Sequence, residues 1–458
     1  MSLAAVTLDD KYAQASGRVY LTGIQALVRL PLMQRQRDLA AGLKTGGFIS
    51  GYRGSPLAGY DQALWKAKRF LKENNIHFEP GLNEDLAATA VWGSQQTILH
   101  PGATVDGVFA MWYGKGPGVD RSGDVFKHGN AAGSSRHGGV LLVTGDDHAA
   151  VSSTLAHQSE HAYIAAMIPV LNPSGVQEYL DYGLLGFAMS RYSGCWVGFK
   201  AVTETVESAV SVTIDPDRLK IVLPADFTLP EGGLNIRWPD DRIEQEWRLQ
   251  QHKVYAALAF ARANKIDRIV IDSPKPRFGI ITTGKAYLDV RQALDDLGID
   301  DRMAAQIGLR LYKVGMTWPL EREGARHFAE GLEEVLVVEE KRALIENQLK
   351  EQLYNWREDV RPRVIGKFDE QRNWILPSAG ELTPALIAKV IAARIGRFHT
   401  SPHIQERVAF IEAKERQLSA DKPKVERVPY FCSGWPHNTS NRVAEGSRAV
   451  AGSGCHSI

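Results

Sequence analysis

A chain of 458 residues, 44% of them hydrophobic, is long enough for two or three cores, because a single core stops growing near roughly 250 residues. Its 54 Lys plus Arg nearly cancel 53 Asp plus Glu, so no whole-chain field draws it to nucleic acid or to a membrane surface. Small molecules and other protein surfaces are the expected partners. The opening MSLAAVTLDDKYAQASG lacks the basic and apolar regions of a secretory signal, and no run approaches the ~20 apolar residues of a membrane helix. Cys195, Cys432 and Cys455 are too few and too scattered for a disulfide framework. A soluble, cytoplasmic protein is expected.

From about residue 44 to 206 short apolar runs alternate with segments of helical period, which predicts a parallel α/β sheet. The predicted strands are GGFISGY, IHFEP, VDGVFAMWY, GGVLLVTG, IPVLNP and CWVGFKAV. Between them lie predicted helices such as GYDQALWKAKRFLKENN, NEDLAATAVWGSQQTIL and SGVQEYLDYGLLGFAMSRY. A Pro/Asp/Gly-rich passage, ADFTLPEGGLNIRWPDD, and a polar helix over 244–263 interrupt the rhythm. A second, smaller α/β unit opens with GIITTG and continues through KAYLDVRQALDDLGI, LRLYKVG, REGARHFAEGL and EEVLVVEEK. Residues 377–426 are helical in pattern and highly charged.

In doubly wound sheets ligands sit beyond the carboxyl ends of the strands, so the loops there matter most. In the first, Gly51-Tyr52-Arg53-Gly54-Ser55-Pro56, glycine allows close backbone approach and Arg53 and Ser55 could hold a carboxylate or phosphate; a tight strand-to-helix turn is the plainer reading. In the second, Asn83 is a good N-cap and Glu84 falls in the first helical turn. That placement alone satisfies the helix dipole, but the small apolar residues after Glu84 leave room for a desolvated carboxyl at an interface, suited to proton work. The third, 114–123, is glycine-rich yet no Rossmann fingerprint, since Val119 stands where the last glycine belongs and Pro117 sits inside the turn. Asp146, Asp147 and His148 have no ligand spacing around them, and His157 and His161 in HQSEH lack the HExxH order, so metal is not expected there.

Taken in order, GYRGSP, GLNEDLAATAVWGSQQ, MWYGKGPGVDRSGDVFKHGNAAG, GGVLLVTGDDHAAVSS, GIITTGKAYLDV, KVGMTWPL, EVLVVEEKRALIENQL and FCSGWPHNTSNRVAEGSRAVAGSGCH resemble the indolepyruvate ferredoxin oxidoreductase family, in its long fused form among the 2-oxo-acid ferredoxin oxidoreductases. The resemblance implies a doubly wound pyrimidine-binding domain of a thiamine diphosphate enzyme over 1–235 and a helical linker over 236–276. It further implies a transketolase C-terminal-like α/β domain over 277–376, a charged helical connector over 377–427 and the truncated start of a diphosphate-binding domain over 428–458. The reaction it implies is oxidative decarboxylation of a 2-oxo acid, such as indolepyruvate or another arylpyruvate, with coenzyme A, to an acyl-CoA, electrons passing to ferredoxin.

By the same resemblance Glu84, beside Asn83, hydrogen-bonds the cofactor's pyrimidine nitrogen and favours the tautomer that takes the thiazolium proton. Arg53 and Ser55 become contacts for the substrate carboxylate or coenzyme A, whereas Lys127, His128 and Asn130 lie in a matching stretch without an assigned role. Related enzymes hold a [4Fe-4S] cluster on cysteines, and Cys432 and Cys455 keep two of those positions. Trp435 stands at the third and Cys195 reads as core, so this chain does not by itself supply the four thiolates a cluster generally needs. No Gly-Asp-Gly for Mg²⁺ and diphosphate precedes Ile458, so the sequence reads as a fragment, as a disrupted product, or as one whose other half lies on another chain; the expected assembly is a homodimer or a complex with a chain that supplies the diphosphate-binding half. The alternatives are a catalytically inactive fragment or assembly subunit that retains the fold, and a non-redox thiamine decarboxylase.

Overall fold

Apolar runs bounded by glycine become strands in the computed structural model, which describes residues 6–420 except 152, 154, 216 and 217, together with 434, 438–440 and 442–447. In chain order these are β1 (Gly17–Thr22), β2 (Gly46–Gly51), β3 (Ile76–Phe78), β4 (Val108–Lys115), β5 (Val140–Asp146), β6 (Val170–Leu171), β7 (Val197–Val202), β8 (Ala209–Ile214), β9 (Arg268–Ile271), β10 (Phe278–Thr283), β11 (Leu309–Val314), β12 (Met316–Trp318), β13 (Glu334–Val338) and β14 (Arg363–Ile365). β1 and β8 form a two-stranded antiparallel ribbon.

The first sheet has the order β12-β6-β7-β5-β4-β2-β3 and is parallel except for β12, which runs antiparallel to β6. Every residue of β5 and β7 is buried, since central parallel strands are covered on both faces and read as unbroken apolar runs. Helices Gly23–Ala40 and Val176–Ser193 cover one face. Gly183 lets them touch, because a Cβ there would stand 2.3 Å from Leu30 Cδ2. Helices Glu84–Gln95 and Gly123–Ala132 cover the other face, where Phe126 stands edge-on to Trp112 with ring centres 5.0 Å apart. This is the doubly wound α/β unit expected from the sequence.

The second sheet, β14-β13-β10-β11-β9, is parallel apart from β9, which is antiparallel to β11, and it too has an apolar core on each face. The smaller α/β unit is therefore also present. Three segments depart from the ranges drawn on the sequence. Helix Val254–Ala263, within 236–276, buries Ala257, Phe260 and Ala261 in the first core. β12, within 277–376, is the edge strand of the first sheet. Helix Pro384–Ile395, within 377–427, buries Ile387, Ile391 and Ile395 in the second core.

The two units are joined by buried polar contacts. Lys313 donates to Ser174 Oγ at 2.7 Å and pairs with Glu178. Asp267 Oδ1 accepts from the backbone N–H of Gly315 and Met316 at 2.7 and 2.9 Å, and burial pushes the Asp267 carboxyl up to about 7. Among the described residues no helix is long and apolar enough to cross a membrane. Most of 428–458, where a third domain is expected to begin, lies outside the described residues.

Candidate functional site

The chain leaves β2 for β3 on one side through helix Tyr60–Lys66, whose Tyr60 and Leu64 join one face of the sheet. It then passes through helix Glu84–Gln95 on the opposite face to reach β4 on the other side of β2. β2 and β4 therefore bracket a topological switch point, where the loops diverge and leave a crevice beyond the carboxyl ends.

Three predicted loops meet at that crevice. The 51–56 loop follows β2, with Tyr52 N–H donating to Tyr113 O at 3.0 Å. It lies across the ends of β4 and β5, since a Cβ on Gly54 would be 2.9 Å from Lys115 Cδ and one on Gly145 2.8 Å from Pro56 Cδ. This exposes Arg53 and half-buries Ser55. The loop after β3 is tied alongside by Gly81 N–H to Gly51 O at 2.8 Å. Asn83 then caps the helix, its side chain accepting from Leu86 N–H at 2.9 Å, and Trp112 Nε1 donates to Glu84 O at 2.9 Å.

Glu84 rests against the third, whose residues Gly116–Arg121 fold as a short helix rather than a loop. A Cβ on Gly118 would be 2.6 Å from Glu84 Cγ and 3.1 Å from Oε1, so the absence of a side chain there makes space for the carboxyl. Glu84 is half-buried, and Tyr52 and Leu82 on the adjoining loops are 42% and 84% exposed. The Glu84 side chain is thus partly open to solvent rather than fully enclosed. Asp85 pairs with Arg121, at the end of helix Gly116–Arg121, at 2.8 Å. A cleft of about 920 Å³ runs beside helix Glu84–Gln95, along the outer edge of β3, with Phe48, Trp65, His77, Ala90 and Gly93 in its walls.

The other sequence candidates separate. Asn130 is buried and structural, donating to Ala166 O and Met167 O at 2.8 and 2.9 Å and accepting from Trp196 N–H. His128 is exposed over Trp92. Cys195 is fully buried, and burial pushes its thiol up to about 11. Cys432, Trp435 and Cys455 lie outside the described residues. Among the described residues no group of three or more His, Cys, Asp or Glu is placed to hold a metal ion.

Sequence reasoning missed a buried ionic cluster at the end of β5. Burial alone would raise the Asp146 carboxyl, but Lys200 at 3.4 Å and His157 outweigh it and hold it below the usual carboxylate range. Ser159 donates to Asp146 Oδ1 at 2.5 Å and Lys200 to Glu160 Oε1 at 2.6 Å. His157 Nε2 donates to Asp120 Oδ2 at 2.9 Å, and the carboxylates of Asp146 and then Asp120 raise this imidazole above its ordinary value against the effect of burial. Burial, then the charge of Lys200, pushes the buried His148 down to about 3. The motifs TGDDH and HQSEH were visible, but their partner Asp120 arrives only through the fold.

Comparison with known proteins agrees with this architecture. The family model for the indolepyruvate ferredoxin oxidoreductase middle domain matches residues 267–421. Indolepyruvate oxidoreductase subunit IorA of Methanothermobacter marburgensis is 26% identical over 432 residues, covering 94% of this chain and 61% of that protein. The subunit IorA of Pyrococcus abyssi is 25% identical over 464 residues, covering 99% and 63%. The chain thus spans about three fifths of the length of these relatives. A solved 2-oxoglutarate:ferredoxin oxidoreductase from Magnetococcus marinus, with 2-oxoglutarate, coenzyme A and succinyl-CoA bound, shares the fold at a TM-score of 0.52 and 14% identity, covering 82% of this chain and 65% of that one. Over nearly its whole length the chain is thus similar, at low identity, to the indolepyruvate oxidoreductase IorA subunits, the resemblance that the ordered motifs of its sequence carry.

Proposed function

We propose that this chain carries the cofactor-activating half of a thiamine-diphosphate-dependent 2-oxo-acid:ferredoxin oxidoreductase, with Glu84 as the acid that touches the cofactor's pyrimidine ring. The observation that carries the reading is the half-buried carboxyl of Glu84 on the bare backbone of Gly118, at the switch point between β2 and β4. The names of its relatives support the 2-oxo acid chemistry.

The residues present fit such a group. A flat heterocycle needs a hydrogen-bonding carboxyl, glycine backbone that permits close approach and an apolar surface to lie on. Glu84, Gly118 and the exposed Tyr52 and Leu82 of the adjoining loops supply these. Bound thiamine diphosphate supplies the electron sink for decarboxylation of the 2-oxo acid. Glu84 holds a proton at the pyrimidine nitrogen, and Asn83 keeps the helix start rigid beneath it. Arg53 and Ser55, on the adjoining loop, bind the substrate carboxylate.

The open side of Glu84 is closed by a second polypeptide or a further segment that brings Mg²⁺ and the diphosphate-binding half. Docking removes water from the carboxyl, and the lower local dielectric strengthens its hydrogen bond to the ring. An aryl 2-oxo acid such as indolepyruvate is the proposed substrate, coenzyme A the acyl acceptor and ferredoxin the electron acceptor.

The test is calorimetric titration of thiamine diphosphate and Mg²⁺ into the chain reconstituted with the polypeptide that completes it. Saturable uptake that Glu84→Gln abolishes is the expected result. Uptake indifferent to Glu84, or none at all, refutes the reading and leaves an assembly subunit.

A further inference from the structure

The second sheet reaches the Glu84 site through the turn at 339–344, after β13. Each polar group of that turn is committed to a different neighbour. Glu339 accepts from the backbone N–H of Leu344, Ile345 and Glu346 at 3.0, 2.9 and 3.1 Å, capping helix Ile345–Leu353. Glu340 takes Lys285 Nζ at 3.2 Å. Lys341, at φ 57°, holds a left-handed conformation that a non-glycine residue rarely adopts. From there its buried ammonium donates to His148 O at 2.6 Å and to Gly380 O at 2.9 Å. Gln158 and the backbone of Arg342 exchange two further hydrogen bonds, at 3.2 and 3.3 Å.

Contacts continue without a break toward the first sheet. His148 Nδ1 donates to His157 O at 3.1 Å. His157 Nε2 donates to Asp120 Oδ2, and its ring lies on Gly116, where a Cβ would be 2.1 Å away. Asp120, Gly116 and Gly118 belong to one helix, Gly116–Arg121, and Gly118 bears Glu84. The cavity enclosed between the sheets, lined by His148, Glu160, Lys200, Lys285 and Glu340 among others, is about 20 Å³. That is room for about one water and not for a substrate, so these groups hold elements in place rather than bind a ligand.

We propose that Lys341 is a positioning residue, which sets the geometry of Glu84 from the second sheet through the relay Lys341, His148, His157 and Asp120. The proposal rests on the reading of Glu84 given above. Strain is tolerated at functional constraints that the surroundings over-determine, and the left-handed Lys341 with two buried acceptors fits that description. A chain of contacts becomes a coupling only when a perturbation at one end is felt at the other.

The His157 imidazole reports on the relay. Asp120 and Asp146 face it directly, Lys200 and Glu160 stand behind Asp146, and Lys341 stands behind His148. In Lys341→Met, hydrogen exchange at 147–150, 155–158 and 116–121 is expected to speed up by roughly ten- to a hundred-fold, the effect of losing a charged hydrogen bond. The His157 titration followed by NMR falls back toward the ordinary imidazole value, and Lys341→Arg restores both. Because Lys341→Met could fail to fold, Asp120→Ala cuts the relay at a side chain that is 61% exposed; it lowers the His157 titration and speeds exchange at 116–121 alone. Exchange accelerated evenly over the whole chain, or a His157 titration that Lys341→Met leaves unmoved while Asp120→Ala shifts it, overturns the proposal. These readouts need no cofactor and so judge the relay alone, whereas thiamine diphosphate uptake by the unaltered protein judges the reading of the site.

Discussion

Replacing Gly118 with alanine separates the fold from the site. Gly118 lies inside helix Gly116–Arg121 with ordinary helical backbone, so alanine is stereochemically welcome there and favours the helix by up to about 1 kcal/mol. Its new methyl, however, would stand 2.6 Å from Glu84 Cγ and 3.2 Å from Cδ, against an ordinary carbon contact of about 3.5–4.0 Å. The Glu84 side chain must therefore swing aside by roughly an ångström, a displacement that can cost on the order of a hundredfold in a positioned site. In binding free energy that is about 2.7 kcal/mol. Thermal melting and calorimetric titration of thiamine diphosphate, run on one preparation, read the two effects separately. The expected outcome is a melting midpoint equal to or above the unaltered protein's, with affinity for the cofactor reduced by one to two orders of magnitude. Unchanged affinity alongside an unchanged melt would refute the claim that Glu84 needs the bare backbone of Gly118.

Gly183→Ala should behave in the opposite way, although it too lies in a helix. Its Cβ would meet Leu30 Cδ2 at 2.3 Å between two buried helices, so overpacking of about 1–3 kcal/mol should outweigh the propensity gain and appear as a lower urea midpoint. Lys313→Met breaks the buried pair with Glu178 that joins the two units, and by analogy with other broken buried pairs should cost about 3–5 kcal/mol in chemical denaturation. Asp267 is buried with its folded pKa raised to about 7. Stability from this group is therefore greatest at low pH and is lost as pH rises from the unfolded carboxyl value through about 7. Asp267→Asn keeps the acceptor for Gly315 and Met316 and removes the group that titrates. It should raise stability at pH 8 and flatten the profile between pH 5 and 8. An unaltered profile would place the pH dependence elsewhere.

How much of this was legible in the sequence differs from element to element. The central strands read clearly because β4, β5 and β7 are covered on both faces and need apolar residues at nearly every position. Helix Gly23–Ala40 escaped notice for the same physical reason. It is buried nearly all round, contains Pro31 and interrupts its apolar residues with Arg29, Arg35 and Asp38, so no amphipathic period appears. Asp38 finds its charge partner only across the fold, taking both terminal nitrogens of Arg191 at 2.6 and 2.8 Å. β12 was hidden because the chain changes sheets at Gly315, immediately after β11, and three residues carry no period.

At the site, Asn83 and Glu84 were legible as a capped helix start, and local rules alone gave the glutamate a dipole role. That its carboxyl rests on Gly118 at a switch point is a tertiary fact. The links from Lys341 to His148 and from His157 to Asp120 were illegible for the same reason, since each joins residues far apart in the chain. Arg53 and Ser55 were placed on a strand-end loop, where Arg53 is exposed and Ser55 half-buried.

A crystal structure of the completed enzyme with thiamine diphosphate bound bears most directly on the role of Glu84. The Glu84 carboxyl should lie about 2.6–3.2 Å from a pyrimidine ring nitrogen, with Tyr52, Leu82 and Leu86 covered by the docked polypeptide. A cofactor held elsewhere, with Glu84 still turned to water, would contradict the assignment.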